Sequence, residues 1–411
     1  MSKFYSTLII NISQILNIIL NVTFQVLLLK YYEVHFIGTI TSNIALVNIL
    51  SNIFCFGLNN YIISRFSRNC KEMYSYRKIF LIYIVITGLL SLILIVITGY
   101  FYGNSIFFSF SFFTLLLSLS LSSFLGSIKQ LNKQYIQLAL VLLLVPLIKV
   151  LAVIISIYFN FNEKILIIGI ELLSTIVLIL LSMHFVKIFT ENKFKTSKIS
   201  FLFFIKEVFP YGILNICFLF YTNSPIVILG LYGLHQSSAY LSSALLIINC
   251  ILMIPTIIIQ KIYAVDIHNA ILNQSFKIQT IRKKLIQYMI VYWIITIILY
   301  ILFGDFFLEI VFDEKGRTLV MSLNILLFSL IFKMLNLTNG VILSSTLFVK
   351  TRVKLEIYLC IFMLLVLFIS LKVLSYYEIL WMLVIIDLIW SASYYILTKI
   401  CLRGIRYEKN Y

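Results

Sequence analysis

Residues 135–159 read YIQLALVLLLVPLIKVLAVIISIYF, an almost continuous apolar run that contains Pro146 and, one turn later, Lys149. A helix needs about 20 apolar residues to cross a hydrocarbon core, so this run is long enough to span a membrane. A lysine inside such a span costs at least about 2.5 kcal/mol, and a proline frees the carbonyl of the preceding turn. Both groups need neighbouring helices or water, which predicts that this helix lies inside a bundle.

The composition extends the prediction to the whole chain. Of 411 residues, 62% are hydrophobic and 11% are charged, whereas soluble domains are about half apolar and about a quarter charged. Lipid forces each spanning segment to satisfy its own backbone hydrogen bonds, so the segments are expected to be helices. The sequence predicts an all-α polytopic membrane protein with twelve spans, at 5–29, 37–63, 79–100, 106–128, 136–158, 165–186, 208–231, 237–260, 285–303, 319–346, 355–374 and 379–398.

The positive charges predict the orientation of these spans. If the N-terminus is cytoplasmic, 25 of the 32 Lys and Arg residues fall in cytoplasmic intervals, 5 fall in outer intervals, and Lys149 and Lys333 lie within spans. Cytoplasmic loops of membrane proteins are enriched in Lys and Arg, so this split favours cytoplasmic positions for both termini. It also explains the net charge of +17 without nucleic acid as a partner.

The longest polar interval divides the chain. Residues 190–207 are predicted to be a cytoplasmic linker between an N-terminal six-helix lobe, 1–189, and a C-terminal six-helix lobe, 208–411. A weak echo at an offset of 200 residues supports two related halves, because Tyr32 and His35 match Tyr232 and His235. Two six-helix halves with a central cavity between them are a common transporter plan.

Three stretches carry a family resemblance. The first stretch runs from Tyr31–Gly38 to Gly57–Arg65 and contains a loop, a Gly, a polar helix, a Gly-Leu pair and an Arg. Its counterpart in the second half runs from Ser238–Ala244 to Pro255 and Gln260. The third stretch is Leu302–Phe312. With the length and the twelve spans, the chain resembles an O-antigen or polysaccharide flippase (Wzx-type) of the multidrug/oligosaccharidyl-lipid/polysaccharide exporter superfamily.

The resemblance implies a function and a location. A member of that family would move an undecaprenyl-pyrophosphate-linked oligosaccharide, an O-antigen or capsule repeat unit, to the periplasmic leaflet of the bacterial inner membrane by alternating access. It would use no cofactor other than a proton or sodium gradient, and it would contact membrane lipids and polysaccharide assembly proteins. The chain departs from many relatives in its seventh span, where they carry an acidic residue before a Gly and this chain has Asn223.

Two ionisable residues lie at similar depths in the fifth and sixth spans. Lys149 is about nine residues from the outer end of its span, Glu171 is about six from the outer end of the next, and only a short turn joins the two helices. Two readings stay open. Either the two residues form a structural ion pair, or Lys149 faces the cavity and attracts the pyrophosphate or acidic sugars.

The second half offers another pair. Lys333, Asn336 and Gly340 share one face of the tenth span, and a polar stripe on an apolar helix is expected to face a cavity. Alternatively, Lys333 snorkels to the cytoplasmic surface. Asp387 is interpreted as the only acidic residue within the spans of this lobe. It is a candidate partner of Lys333, a candidate carrier of a coupling proton, or a packing residue.

Amides and one arginine complete the candidate site. Asn17 and Asn21 belong to a stripe of amides at helical spacing in the first span, and Asn223 lies in the seventh. An amide both donates and accepts hydrogen bonds, which suits sugar hydroxyls, although amides also join membrane helices to each other. Arg65 lies at the cytoplasmic end of span two, where it either touches anionic lipid or captures a pyrophosphate.

Other function classes are disfavoured by what the chain contains. No Gly-rich phosphate loop and no metal-ligand spacing is present in the sequence, so no catalytic residue or metal site is predicted and an enzyme is not expected. Two alternatives remain open. One is a multidrug exporter of the same superfamily, and the other is an oligosaccharide polymerase, which usually has a larger outer loop than the 304–318 interval.

Overall fold

The computed structural model describes residues 3–66, 70–101, 106–191, 200–263, 267, 270–271, 277–312, 316–345 and 348–407. These ranges contain α-helices, one 3₁₀ segment (Cys70–Tyr76) and one π segment (Ile258–Tyr263), and no strand. The α-helices are α1 (Lys3–Tyr31), α2 (Val34–Cys55), α3 (Leu58–Phe66), α4 (Arg77–Phe101), α5 (Ile106–Leu131), α6 (Tyr135–Tyr158), α7 (Glu163–Glu191), α8 (Phe201–Leu231), α9 (His235–Ile257), α10 (Lys277–Phe312), α11 (Gly316–Leu343), α12 (Val349–Ser370) and α13 (Tyr376–Tyr407).

Twelve of these helices are long and apolar enough to cross a membrane. The predicted all-α class and the number of spans are confirmed. One predicted span differs in detail, because residues 37–63 form two helices, α2 and α3, that are separated at Phe56 and Gly57.

One side of α4 carries a continuous apolar stripe. Large apolar side chains at positions 81, 82, 85, 86, 89, 90, 93 and 97 are all exposed, and this spacing places them on one side of the helix. A soluble protein seldom leaves so long an apolar stripe in water. The stripe therefore supports burial of this helix face in a bilayer.

The chain forms two compact units, Met1–Ala239 and Tyr240–Tyr411. In the first, α1 packs along α6, α2 packs against α5 and α8, and α5, α6 and α7 enclose an apolar cluster. The cluster consists of Leu125, Val141, Ile148, Val177 and Leu181. In the second unit, α11 packs extensively against α13 and also contacts α10.

The predicted linker is partly helical. Residues 192–199 lie outside the described ranges, but 201–207 form the first turns of α8, and α8 packs against α2 and α3 in the first unit. The compact units therefore divide seven spans from five. The lobes 1–189 and 208–411 stay a prediction, because close packing of α8 does not decide which helices move together.

Candidate functional site

The carbonyl freed by Pro146 is satisfied by a side chain of α1. Proline has no N–H to donate to the residue four positions earlier, which is Leu142. The side-chain amide of Asn17 donates to the Leu142 carbonyl oxygen at 3.3 Å. The expectation that a neighbouring helix supplies this hydrogen bond is confirmed, and it explains why an amide stands on the face of α1 that packs along α6.

Lys149 continues the same hydrogen-bond chain. Its Nζ donates to Asn21 Oδ1 at 2.7 Å, and the Asn21 amide donates to Asn17 Oδ1 at 2.7 Å. The ammonium also lies 5.3 Å from the centroid of the Phe24 ring, a cation–π distance. Lys149 is half-buried. All of these partners are uncharged, and no carboxylate of the described residues pairs with Lys149, so its positive charge is solvated locally by neutral groups.

Glu171 is not the partner of Lys149. Within the described part of the chain, Glu171 forms no ion pair, and the ammonium of Lys149 is bonded to Asn21 on α1 instead. Counting residues from the outer ends of the spans predicted similar membrane depths for Lys149 and Glu171, but it did not predict the rotation of α6 about its axis. The lysine side of α6 faces α1, because the Lys149 ammonium donates to Asn21 on that helix.

Lys333 has the carboxylate that Lys149 lacks. Its Nζ lies 3.0 Å from Asp387 Oδ2 and 3.3 Å from Oδ1, so α11 and α13 are joined by an ion pair. Asp387 is 3% exposed. The pair predicted from sequence is present, and the Lys333 ammonium is held in the helix bundle by Asp387.

The polar face of α11 turns toward α13 at two of its three predicted positions. Lys333 bonds to Asp387, and a Cβ on Gly340 would lie 3.5 Å from the Tyr394 ring, which is also on α13. Asn336 is half-buried, and its Oδ1 has no hydrogen-bond partner among the described residues. The cavity-facing stripe expected from the spacing is thus a helix-packing face at Lys333 and Gly340.

Glu356 is a second acidic group within the spans of this half, so the expectation that Asp387 is the only one there is wrong. It lies near the start of α12 and is 2% exposed. Its Oε1 accepts a hydrogen bond from Arg352 Nε at 2.7 Å and another from the Tyr394 hydroxyl. The i, i+4 spacing of Arg352 and Glu356 was the signal that could have identified this pair.

The two remaining candidates, Asn223 and Arg65, have other partners than Lys149. Asn223 donates to the Leu219 carbonyl at 3.2 Å and to the Thr222 hydroxyl at 3.0 Å, so its donors are used within α8. Arg65 is exposed near the end of α3. The Tyr76 hydroxyl beside it and then the negative charge of Glu207 raise the pKa of the Arg65 guanidinium, which remains cationic.

No protein-family model and no curated protein matches this chain. Solved structures do. A crystal structure of MATE in complex with MaL6 is 11% identical with a TM-score of 0.62, and the match covers 97% of this chain and 95% of that one. An outward-facing multidrug resistance MATE family transporter of the MOP superfamily is 12% identical with a TM-score of 0.55, again over 97% and 95% of the two chains.

A third similar structure, a MOP superfamily transporter from Pyrococcus furiosus, is described as having a reversed polarity of its binding pocket that suggests a different function. It is 11% identical with a TM-score of 0.53, and the match covers 97% of this chain and 95% of that one. These likenesses show that the chain has the MATE-like fold of twelve transmembrane helices. All three neighbours are transporters.

Proposed function

We propose that this chain is an alternating-access transporter that flips an anionic, hydroxyl-rich amphiphile across the membrane. The proposed cargo is an oligosaccharide linked to a polyprenyl pyrophosphate, moved from the cytoplasmic to the outer leaflet. The MATE-like fold supports transport in general, because its solved examples are transporters. The choice of cargo depends on the charges within the spans.

The proposal of an anionic cargo rests on Lys149. A cation in a membrane span is costly unless it is paired or has a function, and the partners of Lys149 are an amide and an aromatic ring. Its charge is therefore available to a phosphate oxygen. A pyrophosphate would add the counter-charge that the described part of the protein does not place beside this lysine.

The amides around Lys149 favour the second feature of the cargo. Asn21 both accepts from Lys149 and donates to Asn17, so the same short chain offers donors and acceptors next to a cation. Sugar hydroxyls need groups of both kinds. In this proposal, Lys149 contacts the pyrophosphate and the amides contact the first sugar.

A multidrug exporter is the second candidate. It is favoured by the structural neighbour that is described as a multidrug resistance MATE family transporter. An uncompensated lysine would repel an organic cation, so an exporter of this kind would have to select neutral or anionic drugs. The same geometry thus separates the two candidates by the charge of the compound that each one moves.

The location of the protein is part of the proposal. The distribution of Lys and Arg supports cytoplasmic termini, and the proposed cargo places the protein in a bacterial inner membrane, near polysaccharide assembly proteins. The negative charge of Glu207 acts on Arg65 and contributes to raising the pKa of its guanidinium. We therefore assign Arg65 to the membrane surface, with anionic lipid as its partner, ahead of a role in capturing pyrophosphate. Coupling to a proton or sodium gradient would energise transport.

The test is complementation of a bacterial strain that lacks its own flippase. Expression of this chain is expected to restore surface polysaccharide, and Lys149→Ala should abolish the restoration while Lys149→Arg retains part of it, because Arg keeps the charge. Membrane abundance of each variant is measured in parallel. Resistance of the same cells to a panel of cationic, neutral and anionic drugs tests the second candidate.

The outcomes separate the two candidates. Restored polysaccharide that depends on Lys149 supports the flippase. If expression does not restore surface polysaccharide but increases resistance to drugs, the result supports the multidrug exporter. Full restoration by Lys149→Ala at equal abundance would reject the role that we give to this lysine.

A further inference from the structure

The second span is broken by a strained backbone. Phe56 has φ 28° and Gly57 has φ 77°, so α2 ends and α3 starts in a new direction. A non-glycine residue with positive φ is uncommon, and strain of this kind accumulates at functional sites. The break frees the Phe56 carbonyl, which accepts a hydrogen bond from the Tyr83 hydroxyl at 3.0 Å.

The break brings α3 into close contact with α8. A Cβ added to Gly57 would overlap the backbone at Tyr211 and Gly212, so the two backbone segments approach more closely than any residue with a side chain would allow. One turn further along α3, the Asn60 amide donates to Asn215 Oδ1 at 3.0 Å. In membrane transporters, broken helices of this kind form substrate or ion sites.

The amides at the break retain hydrogen-bonding capacity. Asn60 is exposed and Asn215 is half-buried, and their mutual bond uses one donor hydrogen and one acceptor of the several that two amides provide. An incoming hydroxyl group could donate to an amide oxygen and accept from an amide N–H here.

Charges of both signs lie near the amides. Glu207 accepts a hydrogen bond from the Tyr61 hydroxyl at 2.7 Å, and its carboxylate is close enough to Arg65 to raise the pKa of that guanidinium. An anion would meet Glu207 as well as Arg65. The group that suits this place is therefore neutral and polar, in contrast to the phosphate that suits Lys149.

We infer that Asn60 and Asn215 form a hydroxyl-binding subsite, called here the break subsite, which recognises the sugar part of the cargo separately from its pyrophosphate. The inference rests on the proposed function, since it names a second contact for the same cargo. In this arrangement, the junction of α3 and α8 selects among sugars, and Lys149 recognises the anion.

The experiment compares two probes on the purified full-length protein in detergent. The first probe is farnesyl pyrophosphate, and the second is the same molecule linked to one N-acetylhexosamine. Wild-type protein is expected to bind the glycosylated probe more tightly. Asn60→Ala and Asn215→Ala should each weaken that probe by about threefold to tenfold, the usual value of one hydrogen bond, and leave farnesyl pyrophosphate unchanged.

Two controls make the result specific. Asn132→Ala removes another amide that bonds to a side chain, the Tyr74 hydroxyl at 3.1 Å, and should change binding of neither probe. Lys149→Met should weaken both probes. If Asn60→Ala unfolds the protein, Asn60→Ser retains a small polar group, and its affinity for the glycosylated probe should lie between those of wild type and Asn215→Ala.

Three results would overturn the inference. Equal loss of affinity for both probes, accompanied by a lower unfolding temperature, would make the amides structural links between α3 and α8. Binding of farnesyl pyrophosphate with no gain from the sugar would reject the break subsite and leave the proposed function standing. Failure of wild-type protein to bind either probe would reject both proposals.

Discussion

The two lysines within the spans differ in one respect, the charge of their partner. Lys149 in the first unit bonds to the neutral Asn21 at 2.7 Å, whereas Lys333 in the second unit lies 3.0 Å from the carboxylate of Asp387. Both are held by a neighbouring helix. The first unit therefore keeps a net positive charge at this position, and the second unit does not.

This difference separates a functional cation from a structural one. A compensated buried ion pair fixes the packing of two helices, and removing one member leaves a charge that the bundle has to accommodate. A cation solvated only by an amide and an aromatic ring contributes less to stability and remains able to attract an anion. We therefore expect substitutions at Lys333 and Asp387 to reduce mainly stability, and substitutions at Lys149 to reduce mainly transport.

The largest effect is expected at Asp387. Replacing it with Ala leaves Lys333 uncompensated between α11 and α13, and the expected loss of stability is about 3 kcal/mol, at the lower end for a broken buried pair because Lys333 is partly exposed. Unfolding of the purified protein in detergent, followed by heat or denaturant, measures the loss.

The double variant Lys333→Ala/Asp387→Ala is the control for that change. It removes both charges and should recover most of the lost stability, since no charge is then stranded. If the double variant is as unstable as Asp387→Ala alone, the charge of Lys333 is not the cause. Asp387 would then stabilise the bundle by other contacts.

The second effect is functional and concerns Lys149. Lys149→Met keeps the apolar stem and removes the charge, so stability should change by less than about 1 kcal/mol. Export of the cargo should fall by about tenfold or more, the cost of one hydrogen bond to a charged group. Unfolding and export are measured on the same preparations. A large loss of stability with unchanged export would reverse the roles of the two lysines.

The third change makes the first unit resemble the second. Asn21→Asp places a carboxylate beside Lys149 and should reduce export by about tenfold, because the added negative charge competes with the anionic cargo. The new ion pair stabilises the protein, but the variant loses the donor that Asn21 gives to Asn17. Stability should therefore stay within about 1 kcal/mol of wild type. Normal export by this variant would show that the lysine charge does not select the cargo.

Much of the fold was predictable because lipid constrains sequence strongly. Apolar run lengths predicted twelve spans, and the need to satisfy the carbonyl freed by Pro146 predicted a neighbouring donor, found in Asn17. The Lys333–Asp387 pair was one of the three roles open for Asp387, and it was suggested by two opposite charges within the spans of one half. Each of these predictions needs only the depth of a residue and the cost of leaving it unpaired.

Features that depend on helix rotation or backbone direction were not predictable. Depth alone suggested Glu171 for Lys149, but α6 turns its lysine toward α1 and Asn21. The break at Phe56 and Gly57 was also missed, because the apolar pattern continues through it and a single Gly in a span does not signal a positive φ. The contact that gives Gly57 its role comes from α8, far away in the sequence.

The smallest effect is expected at Glu171, and it makes the comparison sharpest. Glu171→Gln removes the only negative charge that sequence depth offered to Lys149. Because Glu171 forms no ion pair within the described residues, the free energy of unfolding should change by less than about 0.5 kcal/mol. The corresponding isosteric change at the other site, Asp387→Asn, should be clearly destabilising and serves as the matched control. If Glu171→Gln destabilises the protein as much as Asp387→Asn does, Lys149 uses Glu171 as its counter-charge, and the first unit has the same compensated lysine as the second.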